Sequence, residues 1–102
     1  MTNKNPSPNL IDAIRLICDY TGGHYYLWSL TGRSQVKRRQ QIMELLLGTK
    51  TPQSKCGINA LIKELYAQCG VTGTCGADQR NNFITYARGV LGNPDIMEVH
   101  GQ

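Results

Sequence analysis

The stretch Gly57-Ile58-Asn59-Ala60-Leu61-Ile62-Lys63-Glu64-Leu65-Tyr66-Ala67-Gln68-Cys69-Gly70 decides the fold class. Ile58, Leu61, Ile62, Leu65 and Cys69 recur at i, i+3, i+4, i+7 and i+11, which is one face of an α-helix and not the alternation of a strand. Gly70 then supplies the left-handed residue on which helices commonly stop. Upstream, a helix is predicted from Ser34, a capping residue, to Leu47 before Gly48. Its second half, Ile42 to Leu47, is apolar on nearly every side and has to be buried. Downstream, a helix over about Ala77 to Leu91 turns Phe83, Ala87, Val90 and Leu91 inward, and Gly92-Asn93-Pro94 ends it. At the start, Ser7 can cap and Pro8 suits the first helical position, where its missing N–H costs nothing. Leu10, Ile14 and Ile17 form the apolar face of that first helix, which ends near Tyr20 ahead of Gly22-Gly23.

Four helices in 102 residues predict a mainly all-α, compact single domain, with residues 1–6 and 95–102 as flexible ends. One segment resists this reading. His24-Tyr25-Tyr26-Leu27-Trp28-Ser29-Leu30 is almost continuously aromatic and apolar between glycines, which suits a short strand or, equally, a helical turn or buried loop. A lone strand needs a partner, and Ile96 to Val99 or a second copy of the chain could supply one.

Lys plus Arg number 11 against 7 Asp plus Glu, a net charge of +4, and 40% of residues are hydrophobic. That apolar fraction supports a core and argues against wholesale disorder. No apolar run approaches the length of a membrane span, and Met1 to Pro8 lacks the apolar stretch of a secretory signal, so a cytoplasmic protein is expected. Cys18, Cys56, Cys69 and Cys75 then read as reduced thiols. No Cys-x-x-Cys or closely spaced His pair proposes a metal, and no cofactor motif occurs. Neither a Ser/His/Asp set nor a phosphate-cradling loop points to catalysis, so no enzyme is expected.

The charges carry the functional expectation. Arg33, Lys37, Arg38 and Arg39 stand together at the start of the second helix, where cations oppose the macrodipole. With Ser34 and the free N–H groups of a helix start they would seat a phosphate, unless they are simply a solvated basic face. Glu64-Leu65, Gly70 and Val71-Thr72 read either as the first helix and turn of a helix-turn-helix or as ordinary helix packing. In the first case Gln79, Arg80, Asn81 and Asn82 would face base edges in double-stranded DNA. Tyr66 fills a place usually kept small, and the loop through Gly76 is longer than that motif's turn.

Gly22-Gly23, the aromatic segment, the basic helix with Arg38, Ile42, Leu46 and Gly48, and then Glu64-Leu65 together resemble the Mor family of phage transcription activators over residues 15–72. The resemblance implies a homodimer whose short strands pair and whose helix-turn-helix units bind promoter DNA. The chain departs from the pattern in having Trp28-Ser29 at the strand end, Arg39 where an acid is expected, and additional residues from Thr49 to Cys56. The rival expectation is a compact protein-interaction module, an inhibitor or adaptor, anchored by Tyr25, Tyr26 and Trp28 with Arg33 nearby.

Overall fold

The computed structural model describes residues 6–71, 73 and 75–92. They form four α-helices: α1 (Pro8–Tyr20), α2 (Val36–Leu47), α3 (Ile58–Cys69) and α4 (Gly76–Gly92). Single 3-10 turns occupy Leu27–Leu30, Arg33–Gln35 and Gln53–Lys55. No strand occurs among the described residues. Pro6, assigned above to a flexible end, is buried; the remaining end residues, Thr72 and the Ile96–Val99 segment lie outside the described set.

One hydrophobic cluster joins all four helices. α1 contributes Leu10, Ala13, Ile14 and Ile17; α2 contributes Ile42, Met43 and Leu46; α3 contributes Leu61, Leu65 and Cys69; α4 contributes Phe83, Ala87 and Val90. The periodicities of α1, α3 and α4 therefore also name their buried faces, whereas α2, expected to be buried on nearly every side from Ile42 to Leu47, buries only Ile42, Met43 and Leu46 of that stretch and leaves Leu47 44% exposed. α1 begins as its sequence requires: Ser7 Oγ accepts the Leu10 N–H at 3.1 Å, with Pro8 in the first turn. At its other end the Thr21 hydroxyl donates to Ile17 O at 2.6 Å and accepts the Tyr25 N–H at 2.9 Å. That second bond holds Tyr25 at φ 59°, a left-handed conformation that costs a non-glycine residue about 1–2 kcal/mol. The cost is offset inside the core, where the Tyr25 ring meets Phe83 edge-on, centroids 6.3 Å apart.

The segment His24 to Leu30 is not a strand. Leu27–Leu30 closes as a 3-10 turn, whose three-residue period puts Leu27 and Leu30 on one side, both buried. Trp28, which a strand would have made part of an internal face, points outward. No strand pairs with the segment among the described residues, and local i to i+3 bonding takes up part of its backbone instead: Ser29 N–H donates to Tyr26 O and Thr31 N–H to Trp28 O.

Ser34 does not cap α2. It lies inside the Arg33–Gln35 turn, which starts after Gly32 and leads into the helix through Gln35 without a side-chain cap. After Gly48, residues 49–56 cross to α3 and are tied back to α2 by Gln40 Nε2, which donates to Thr51 O at 2.6 Å. Gln68 Nε2 donates to Leu46 O at 2.8 Å and so binds α3 to the open carbonyl end of α2. In the α3–α4 connection a Cβ on Gly73 would stand 2.8 Å from Asp78 Cβ and 2.9 Å from Gln79 N, so this position accepts glycine alone.

Candidate interaction surface

The four clustered cations do not act as a unit. Arg39 turns into the protein and is only 8% exposed. Its Nη1 donates to Leu30 O at 2.6 Å and to Gly32 O at 2.8 Å, and its Nε donates to Cys56 O. This guanidinium therefore latches two connections, residues 27–32 and 49–56, onto α2. Buried, and with its Nε and Nη1 donors spent on backbone carbonyls, it does not join Arg33, Lys37 and Arg38 at the surface. The helical period explains the reversal: Arg39 lies three residues before Ile42 and seven before Leu46, on the buried stripe of α2.

Arg33, Ser34, Lys37 and Arg38 remain exposed. The Arg38 guanidinium lies 4.7 Å from the centre of the Tyr20 ring, and Tyr20 donates its hydroxyl proton to Gln41 Oε1 at 2.6 Å. At the start of α4, Arg80, Asn81 and Asn82 are exposed and Gln79 is half-buried. Arg80 is close enough to Tyr66 to oppose, electrostatically, the rise in the phenol's pKa that burial causes.

The aromatic anchors also divide. Tyr25 is core, and burial, with the Cys18 thiol beside it, pushes its hydroxyl up to about 12. Tyr26 and Trp28 are 48% and 47% exposed, unusual for large aromatic side chains. Trp28 forms one wall of a groove of about 410 Å³; Asn59, Ile62, Lys63, Tyr66 and Ala67 of α3 form the floor, with Val71 and Gln79 closing the far side. Phe83 supports Tyr66 from below, ring centroids 5.6 Å apart. Sequence reading singles out Trp28 and Gln79 as surface candidates but not Ile62 or Tyr66. Ile62 and Tyr66, four residues apart at the edge of the α3 stripe, were the legible signal, because such edge positions are only half-covered by neighbouring helices.

A second groove, of about 490 Å³, lies between the end of α2, residues 49–55 and the first turn of α3. The cysteines are all unbridged. Cys56 and Cys69 are buried, and burial raises both thiols, Cys69 to about 12, so neither is primed as a nucleophile. The described residues contain no cluster of His, Cys, Asp and Glu fit to hold a metal ion and no helix long and apolar enough to cross a membrane. No known protein family, curated protein or solved structure matches the chain.

Proposed function

We propose that the chain is a small, non-enzymatic protein-interaction module whose contact surface is the groove beside Trp28. The observation that carries this reading is a half-exposed tryptophan held on a short, latched turn beside Tyr66 and Lys63. Trp, Tyr and Arg dominate binding energy at protein interfaces, and a preformed groove spares a partner the cost of ordering it. Lys63 in the lining and Arg80 near Tyr66 favour a partner segment that carries an apolar side chain and a carboxylate.

Capture from a host lysate with immobilised wild-type protein and Trp28→Ala, after nuclease treatment, tests the reading. Wild type should retain a stoichiometric protein that stays bound in about 1 M salt, where the screening length is about 3 Å. Trp28→Ala should lose at least about tenfold in affinity for it, roughly 1.4 kcal/mol. Its melting temperature should stay close to wild type, because the ring is half in solvent. Retention that Trp28→Ala leaves unaltered rejects the proposal.

A specific observation keeps a second reading in place: Arg33, Lys37 and Arg38 are exposed together at the entry to α2, and Arg80 and Asn81 at the start of α4. On that reading the chain is a DNA-binding regulator of the kind the Mor resemblance implies, in a form that does not pair strands through residues 24–30. It requires duplex binding with a slope of log affinity against log salt near −2.7 for three neutralised phosphates. Nuclease-sensitive, salt-labile retention in the same experiment would favour it over the protein partner.

A further inference from the structure

The groove at the end of α2 is a second built site, independent of the Trp28 groove, and the geometry points to an acidic, amphipathic segment of a partner protein as its occupant. Its apolar lining comes from Met43 and Leu47 of α2, Pro52 of the connection and Ala60 of α3. Leu47 is 44% exposed although it ends the most apolar run of the chain. A leucine left open above a cavity of about 490 Å³ is a side chain awaiting cover, of the size and apolar character of grooves that receive partner side chains.

The walls do not move freely. Residues 49–56 are pinned to α2 at one end by Gln40 on Thr51 O and at the other by Arg39 on Cys56 O, so the groove exists before anything enters it. Its charge selects the occupant. Lys50 and Lys55 stand in the lining and are exposed, and no carboxylate of the described residues lines it. Glu44 acts on the nearby Cys56 thiol but lies outside the lining. An apolar side chain entering between Met43, Leu47 and Ala60 would bring its flanking residues against the two ammonium groups, which favour Asp or Glu there and penalise Lys or Arg. An amphipathic helix meets this requirement, laying its apolar positions into the groove and its acids along the rim. With the Trp28 surface, the chain would then hold two partners, or two segments of one.

The test uses the full chain and two synthetic helical peptides of roughly four turns with leucines at i, i+3, i+4 and i+7. One carries Glu at its remaining positions and the other Lys. The Glu peptide should shift the NMR signals of the Met43, Leu47 and Ala60 methyls and saturate in the micromolar to sub-millimolar range. The Lys peptide should not saturate. Lys50→Glu combined with Lys55→Glu should weaken the Glu peptide about tenfold or more while leaving the melting temperature near wild type, both lysines being exposed. Absence of shifts at those methyls, equal binding of both peptides, or shifts confined to the Trp28 indole would overturn the assignment. So would duplex DNA that perturbs Lys50 and Lys55 where the Glu peptide has no effect. Failure here leaves Trp28-dependent capture untouched, so the two readings fall separately.

Discussion

Arg39→Ala should melt at least about 12 °C below wild type, and in a marginal background it should not fold. The substitution removes the donors to Leu30 O, Gly32 O and Cys56 O at once; Gly32 O keeps the Gln35 N–H, while Leu30 O and Cys56 O, one buried carbonyl from each connection, are left without a partner. Each stranded buried acceptor costs about 1–3 kcal/mol, less where water reaches it, so a total of about 3–5 kcal/mol is expected. For a domain of this length each kcal/mol lowers the melting temperature by about 4–8 °C. Thermal unfolding followed by circular dichroism measures it. Arg39→Lys should recover less than half of the loss, because an ammonium on a flexible stem does not reproduce a planar fork aimed at separate acceptors. A melting temperature for Arg39→Ala within about 5 °C of wild type would show that the latch contributes little and that water replaces it.

Phe83→Ala should cost about 3–5 kcal/mol, the range for emptying a buried aromatic site. The ring is fully buried and lies between Tyr25, from the connection after α1, and Tyr66, from α3. Its removal deprives Tyr25 of the contact that offsets its left-handed backbone and leaves Tyr66 without a floor. Urea unfolding checks the result: the midpoint should fall sharply for Phe83→Ala and by a smaller step, about 1–2 kcal/mol, for Phe83→Leu, which refills part of the space. The Ala variant should also weaken whatever binds beside Trp28, through Tyr66. Unchanged binding in a folded Phe83→Ala protein would mean that Tyr66 needs no support.

The helices were legible because each carries its own punctuation. Ser7-Pro8 opens α1, Gly48 and Gly70 close α2 and α3 at φ 71° and 69°, and the buried faces follow the 3.6-residue period. What escaped were features set by tertiary contact. Leu27 and Leu30 have the spacing of a helical turn, but over so few residues aromatic content favours a strand just as well, and packing decides. Arg39 was grouped with its neighbours by charge although its position on the α2 stripe pointed inward. In this helix the period outweighed residue type, because carbonyls from two connections met the guanidinium there. The grooves were least visible, since each is assembled from segments distant in sequence: Trp28 with Tyr66 and Gln79, Met43 with Pro52 and Ala60.

The Arg39 latch has a consequence for acid. The backbone carbonyls that the Arg39 guanidinium binds have no proton to gain. Acid unfolding ordinarily works by protonating carboxylates that the native state has paired, and among the described residues this buried cation rests on none. The ion pair of Arg15 with Asp12, 3.5 Å apart on the surface of α1, is too exposed to matter much. The joint that holds the connections to α2 should therefore be as firm in a mildly acidic compartment as at neutrality.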